Sequence, residues 1–80
     1  MELKIDNINE FARHKSLNRA IYSSMSYDEK RKLKFYLYYV IKINEDKKDL
    51  IWRFLNEPIE SEDYIYSTSI LNKYGESKWK

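Results

Sequence analysis

Histidine and serine are the first residues to consider for nucleophilic chemistry in this chain of 80 residues. The sequence holds one histidine, His14, and no cysteine. A catalytic serine needs a base beside it. Ser16 lies two residues from His14, which places it on a different side of any helix. We therefore expect His14 to be a surface residue near a helix boundary, and we predict no catalytic residues and no enzymatic activity.

The chain also lacks residues suited to binding a structural zinc ion or a phosphate group. A structural zinc site takes four Cys or His ligands, and a phosphate-binding loop takes closely spaced glycines, whereas the chain has a single glycine. Glu45, Asp46 and Asp49 have the spacing of neighbours on a helix and could form a paired carboxylate site. Basic residues interleave with them, which favours a solvated face with local ion pairs. We predict no metal site and no cofactor.

Aromatic residues make up 16% of the chain, and eight of them are tyrosines. A large ring buries about 150–250 Å², so the set exceeds what one small core needs. Tyrosine also suits a half-exposed surface, where its hydroxyl stays wet. We predict a protein-binding patch formed by Tyr38, Tyr39 and Trp52, with Arg53 and Arg31 at its rim.

Basic residues suggest an alternative function. The formal net charge is +2, and residues 1–40 hold eight Lys and Arg against five Asp and Glu. Phosphate contacts along a nucleic acid could use this basic half of the chain. The candidate residues are Arg13, Lys15, Arg19, Lys30, Arg31, Lys32 and Lys34. The small net charge and the lack of a helix-turn-helix signature favour a protein partner over nucleic acid.

The elements that position these residues are predicted to be helices. One glycine and one proline leave few signals for hairpin turns, and 80 residues suffice for one domain. We predict an all-α fold, a compact bundle of four to five short helices in a single domain. The expected helices span approximately residues 7–13, 16–25, 27–43, 45–56 and 61–74, and residues 76–80 form a loose tail.

The first two helices are predicted from a change in the helical face on which the apolar residues lie. Asn7 and Glu10 have the spacing of a capping box. Ile8, Phe11 and Ala12 share one face of the helix that follows. The next apolar residues fall on the opposite side of a straight helix; these are Leu17, Ala20, Ile21 and Met25. We therefore predict a break over residues 14–16, with Ser16 capping a second helix.

The third predicted helix opens with a capping box formed by Ser26 and Glu29. An amphipathic stripe follows at helical spacing; its members are Leu33, Tyr36, Leu37, Val40 and Ile41. Apolar residues on the remaining sides indicate either the central helix of the bundle or a helix whose second face meets a partner. The alternative is a strand over residues 34–42, because this segment is rich in aromatic and β-branched residues.

The last two helices carry clear boundary signals. Asn44 is the expected cap of the fourth helix, and Pro58 is expected to stop it. Its predicted buried residues are Leu50, Ile51, Phe54 and Leu55. Ser61 opens the fifth helix, and Gly75 is predicted to end it in a left-handed cap. The inner side of that helix is expected to hold Tyr64, Ile65, Thr68, Leu71 and Tyr74.

Location and origin can be stated as expectations. The chain has no apolar run of the roughly 20 residues that span a membrane and begins without the apolar segment of a signal peptide, so we expect a cytoplasmic protein. Abundant Lys, Ile, Asn and Tyr suggest a low-GC bacterium or its phage.

The leading hypothesis is a non-enzymatic binding module, of phage or mobile-element origin, that inhibits or modulates a larger host or defence protein. A homodimer is compatible with this hypothesis.

Overall fold

The computed structural model describes Leu3 and residues 5–76, and of Glu76 the backbone alone. Within these residues the chain forms five α-helices and no strand. They are α1 (Ile8–Arg13), α2 (Lys15–Ser23), α3 (Tyr27–Phe35), α4 (Glu45–Asn56) and α5 (Glu62–Glu76). One turn of π-helix, Tyr36–Val40, continues α3 and is called the π turn below. The predicted all-α bundle is confirmed, and the alternative of a strand over residues 34–42 is wrong.

The predicted break between α1 and α2 is confirmed at His14. Asn7 caps α1, because its Oδ1 accepts a hydrogen bond from the Glu10 amide at 3.1 Å. The reciprocal half of the predicted capping box does not form, since the Glu10 carboxylate faces Arg13 at 2.5 Å instead. Ser16 is not the cap of α2, which begins one residue earlier with His14 at its N-cap position.

The buried face of α2 differs from the prediction. Asn18 and Tyr22 are buried, whereas Leu17 is 43% exposed. The physical reason is that both polar side chains find partners on the inside. Asn18 Nδ2 donates to the Phe11 carbonyl at 3.1 Å, and the Tyr22 hydroxyl donates to Asn56 Oδ1 at 2.8 Å. These two bonds direct the side of α2 that carries Asn18 and Tyr22 toward the interior.

The capping box of α3 is confirmed. Ser26 Oγ accepts from the Glu29 amide at 3.2 Å, and the Glu29 carboxylate accepts from the Ser26 amide at 2.9 Å. Yet α3 buries none of its residues, so it is not the central helix of the bundle. The helical segment ends at Val40, three residues earlier than predicted.

The predicted stripe of α3 is only partly buried. Leu37 and Ile41 are buried, but Tyr36 and Val40 are 43% and 48% exposed. The Ile41 amide donates to the carbonyl five residues earlier, at 3.1 Å. This wider turn changes the phase that a helix of 3.6 residues per turn would keep. The residues of the predicted stripe therefore no longer lie on one face of the helix where the π turn begins.

The central helix is α4. Asn44 caps it, with Oδ1 accepting from the Lys47 amide, and the helix ends at Asn56, two residues before Pro58. All four predicted residues are buried, namely Leu50, Ile51, Phe54 and Leu55. Because α4 packs against α2, α5 and the π turn, it forms the scaffold of the molecule.

The start of α5 follows the prediction, and so does most of its inner face, where Leu71 is buried and Tyr64, Thr68 and Tyr74 are half-buried. Ile65 and the end of the helix do not follow it. Ser61 Oγ accepts from the Tyr64 amide at 3.1 Å, as expected of a cap. Ile65 is 59% exposed, and the fully buried positions are Ser67 and Leu71. Gly75 has no left-handed backbone, because the helix runs on through Glu76. Of the predicted tail, residues 77–80 lie outside the described part of the chain.

Gly75 has a packing role instead. A Cβ built on Gly75 would lie 3.6 Å from the carbonyl carbon of Ala12, so the backbones of α1 and α5 approach closely at this point. The core beside this contact contains the edge-to-face pair of Phe11 and Phe54, whose ring centroids are 6.0 Å apart. Among the described residues, no helix has both the length and the apolar character needed to cross a membrane.

Candidate functional site

An open groove of about 900 Å³ lies between α3, the π turn and α4. It combines exposed rings with basic side chains. The lining residues are Arg31, Lys32, Lys34, Phe35, Tyr38, Tyr39, Glu45 and Trp52. This set of eight residues is called the groove below.

Phe35 and Tyr39 are the most exposed aromatic residues of the groove. They are four residues apart, so they lie one above the other on the helical surface. Their ring centroids are 5.0 Å apart at an interplanar angle of 35°. The two side chains remain 60% and 77% exposed. Two large rings that pack on each other and not on the core form an apolar contact surface.

Trp52 forms the fixed floor of the groove. Two rings meet the indole edge-to-face, Tyr22 at 5.7 Å and Tyr38 at 6.5 Å between centroids. Lys34 Nζ lies 5.4 Å from the indole centroid, within the range of a cation–π contact. The half-buried indole is therefore held by the fold before any ligand arrives.

Tyr38 ties the π turn to α4. Its hydroxyl donates to Asp49 Oδ1 at 2.7 Å, and its carbonyl oxygen accepts from Lys48 Nζ at 3.1 Å. Burial raises the pKa of the Tyr38 hydroxyl, and the hydrogen bond and negative charge of Asp49, with the charge of Glu45, raise it further. Tyr38 is therefore a neutral hydrogen-bond donor at ordinary pH. Lys48 is itself buried, and its ammonium satisfies a carbonyl that the π turn leaves open.

The charge of the groove is positive. Arg31, Lys32 and Lys34 are opposed within it by Glu45 alone. Arg31 Nη2 lies 3.7 Å from Asp28, in an exposed pair that contributes little to stability. An acidic ligand would find cations beside apolar rings.

The structure brings together four of the five residues predicted for protein binding. Arg31, Tyr38, Tyr39 and Trp52 all line the groove, whereas Arg53 lines a second cavity between α4 and α5. Sequence reasoning missed Phe35 as a site residue. Its spacing of four residues from Tyr39, on the second apolar face of the predicted helix, is the signal that could have identified it.

Three of the seven basic residues named for nucleic acid line the groove, and four do not. Arg31, Lys32 and Lys34 line the groove, and Lys15 is half-buried at the start of α2. Three others contact this chain itself. Arg13 pairs with Glu10, and Lys30 Nζ lies 4.9 Å from the Tyr22 ring centroid. Arg19 donates to the backbone carbonyls of Phe54 and Glu57, the second at 2.7 Å, where α4 ends.

His14 and the acidic residues considered for metal binding lie in separate parts of the described chain, at the boundary between α1 and α2 and on α4. His14 Nε2 lies 3.6 Å from a Glu10 carboxylate oxygen, in an exposed pair at the boundary between α1 and α2. Within the described part of the chain, no three acidic or histidine side chains are placed to hold a metal ion together. Glu45 and Asp49 are instead associated with the groove and with Tyr38.

Comparison of the chain with models of protein families, with curated proteins and with solved structures finds no significant match. A likeness of fold would in any case leave the function open. The function is therefore inferred from the chemistry of the groove.

Proposed function

We propose that this protein is a non-enzymatic binding module whose groove holds an acidic segment of a larger protein. One observation carries the proposal: the exposed pair Phe35 and Tyr39 lies in the same groove as three basic side chains. Each feature alone is common on a protein surface. Together they match the chemistry of a peptide that has both apolar and acidic residues.

The rings would supply most of the affinity. Aromatic residues dominate binding hot spots, because they bury a large area at a low cost in side-chain entropy. Trp52 is already held in place by its neighbours, so binding would not have to order it. An apolar side chain of the partner, packed between Tyr39 and Trp52, would be the anchor of the complex.

The basic residues would supply orientation and speed of association. Complementary charges steer two proteins together and exclude partners of the wrong sign. Lys32 takes part in none of the ion pairs within the described residues, and Lys34 lies over an indole ring that is already part of the groove. Acidic side chains of the partner would reach both without breaking a contact of the fold.

A single-stranded nucleic acid is the second candidate, because stacking rings beside cations are also typical of grooves that bind single strands. Two observations favour the protein partner. Lys30 lies over the Tyr22 ring and Arg19 is engaged at the end of α4, so neither is free to contact phosphates. Lys34 Nζ already lies over the Trp52 ring, which leaves less of the indole face for a base.

The consequence for the partner is also part of the proposal. A small module that covers an acidic segment would change what that segment can contact, so binding would modulate the activity of a larger protein. A host or defence protein as the target, and an origin in a phage or mobile element, are hypotheses that rest on chain size and residue usage.

A selection of random peptides displayed on yeast tests the proposal with no need to know the partner. We expect the recovered peptides to be enriched in Asp and Glu beside Trp, Phe or Leu. Tyr39→Ala should weaken their binding roughly tenfold to a hundredfold, as for a hot-spot ring. Tyr66→Ala is the matched control, since Tyr66 is 60% exposed and lies outside the groove.

A parallel titration with a single-stranded oligothymidylate separates the two candidates. Recovered peptides without acidic enrichment, or with equal sensitivity to Tyr39→Ala and Tyr66→Ala, would contradict the proposal. An oligonucleotide that binds with a steep loss of affinity in added salt, while no peptide is recovered, would support the nucleic-acid candidate instead.

A further inference from the structure

The connection between α4 and α5 and the first turn of α5 form an exposed surface that combines carboxylates with apolar side chains. Ile59 is 62% exposed and Ile65 is 59% exposed, although both are large apolar residues. Three acidic side chains are exposed beside them. The five residues are called the acidic surface below; they are Ile59, Glu60, Glu62, Asp63 and Ile65.

The carboxylates of the acidic surface are not neutralised by the chain around them. Residues 54–72 include four acidic residues and no lysine or arginine. Within the part of the chain that the structure describes, none of the ion pairs includes Glu60, Glu62 or Asp63. The dipole of α5 favours acidic residues in its first turn, but it does not account for Glu60 or for two exposed isoleucines. A local excess of negative charge therefore lies next to apolar side chains.

Each exposed isoleucine has a carboxylate as its neighbour. Ile65 follows Glu62 by three residues, so the two side chains are adjacent on the outer surface of α5. Ile59 directly precedes Glu60 in the connection between the helices. This combination of apolar and acidic groups is the one that the groove, with its exposed rings and three cations, is proposed to bind.

The acidic surface and the groove lie in different parts of the fold. Residues of α3, the π turn and α4 line the groove, and no residue of the acidic surface is among them. Two complementary surfaces at separate places on one folded chain can meet only between two copies of that chain.

We propose that the groove of one copy holds the acidic surface of a second copy, an inference that rests on the groove being the binding site proposed above. Ile59 would pack against the pair of Phe35 and Tyr39, and Glu60 and Glu62 would face the cations of the groove. The contact joins two different surfaces, so it is heterologous. Each complex leaves one groove and one acidic surface free to bind further copies.

The proposed contact is small, so it would regulate the groove and not close it permanently. A connection and one helical turn bury less than the roughly 1,200 Å² of a stable interface, which corresponds to a dissociation constant of roughly 0.1–1 mM. A partner that binds more tightly would displace the second copy. Self-association and partner binding would therefore compete for the same rings and cations.

Sedimentation equilibrium of the full chain, over concentrations that span this range, is the first measurement. We expect the average mass to rise with concentration, and to rise less in added salt, because salt screens the charges at the contact. Two variants each remove one side of the contact. Tyr39→Ala truncates a ring of the groove, and the double variant Ile59→Ser with Glu60→Lys changes two exposed positions outside the helices. Each should weaken self-association at least about tenfold.

A mixture of the two variants should restore the contact, because Tyr39→Ala keeps its acidic surface and the double variant keeps its groove. We expect a one-to-one complex that grows no further. With the double variant ¹⁵N-labelled, unlabelled Tyr39→Ala should shift the amides of Arg31, Phe35 and Tyr39. Asp6→Lys is the control, since it reverses an exposed carboxylate that belongs to neither surface; it should self-associate as the wild-type chain does.

A wild-type chain that stays monomeric at about 1 mM, variants that self-associate as the wild type does, or a mixture that does not associate would each overturn this proposal. Peptide binding separates it from the proposed function, because the double variant has an intact groove. Binding of the displayed peptides without self-association would refute the second copy alone. Loss of both would refute the groove as a binding site as well.

Discussion

Tyr38 illustrates at the residue scale how one side chain supports the candidate site. Its hydroxyl, its carbonyl oxygen and its ring each contact α4, through Asp49, Lys48 and Trp52 respectively. Two charged residues on α4 thus hold the π turn in place. The sequence indicated Tyr38 as a binding residue, but its hydrogen bonds identify it first as the support of the groove.

The raised pKa of Tyr38 predicts a dependence of stability on alkaline pH. Because the folded-state pKa lies above the ordinary value of 10.0, the folded protein keeps a proton that the unfolded chain loses. The free energy of unfolding is therefore constant below about pH 9 with respect to this group and falls as the pH rises beyond about pH 10. Urea unfolding at a series of pH values measures this fall.

Tyr38→Phe is the variant that isolates the effect, and we expect it to lose part of the alkaline fall in stability. A remainder should persist, because burial also raises the pKa of Tyr22. Tyr66→Phe, at an exposed position, serves as the control. An alkaline fall that Tyr38→Phe leaves at full size would contradict the account of Tyr38.

Arg19 gives a second prediction at this scale. Its guanidinium donates to two carbonyls at the end of α4 and lies 4.9 Å from the Tyr64 ring centroid. Arg19→Lys keeps the charge but cannot span both carbonyls. We expect the free energy of unfolding to drop by about 1–2 kcal/mol, measured by urea denaturation. Arg13→Lys, in an exposed pair with Glu10, should change it by less than about 0.5 kcal/mol.

At the scale of elements, α3 and α4 differ in the contacts that fix their positions in the fold. The central helix α4 buries five of its residues, whereas α3 buries none and depends on its capping box and on the π turn. Leu33, Lys30 and Lys34 make the contacts of α3 with the rest of the fold, and the side of the helix that carries Phe35 remains outside the core. The groove is therefore a consequence of how the π turn directs α3 along the surface of α4.

The contact between α1 and α5 predicts the effect of a change at Gly75. A Cβ there would be at ordinary contact distance from Ala12, 3.6 Å or more, and the position is helical. Gly75→Ala should therefore raise the free energy of unfolding by about 0.5–1 kcal/mol, because alanine favours the helix. Thermal unfolding followed by circular dichroism measures it. Gly75→Leu should do the opposite, since a longer side chain would separate the two helices.

A lower stability of Gly75→Ala would mean that α5 ends before Gly75 in a left-handed cap, as the sequence alone predicted. A helical Gly75 and a left-handed cap at Gly75 therefore predict opposite signs for the change in the free energy of unfolding. This makes Gly75 the sharpest test of the element boundaries.

The boundaries of most helices could be predicted from local signals, because caps and prolines act within a few residues. Asn7, Ser26, Asn44 and Ser61 all cap as expected. The buried face of α4 could also be predicted, since its four apolar residues keep one phase. These signals require no knowledge of the rest of the chain.

The inner face of α2 and the phase of α3 could not be predicted in this way. Asn18 and Tyr22 are buried because of partners on other helices, Phe11 on α1 and Asn56 on α4. The π turn also changes the helical phase within an apolar run. Tyr38, Tyr39 and Trp52 could be named as candidate-site residues because the chain has more large rings than one small core needs. Arg53, predicted at the rim of the same patch, lines the second cavity instead, since its surroundings depend on how α5 packs.

At the scale of the whole molecule, α4 separates two cavities of different chemistry. The groove is aromatic and positive, and the second cavity is balanced in charge. The hydrogen bond from Tyr38 to Asp49 joins them through one carboxylate. A formal charge of +2 for the chain therefore conceals a local excess of cations, and that excess is what the proposed acidic partner would recognise.

The most direct test of the central claim is a two-dimensional NMR titration of the full chain with the tightest peptide recovered from the display selection. The account predicts that the largest shifts map to Arg31, Phe35, Tyr39 and the indole NH of Trp52, and that Tyr39→Ala abolishes them at the same peptide concentration. Shifts confined to the exposed side of α2 around Leu17, or to Tyr66 on α5, would contradict the assignment of the groove as the binding site.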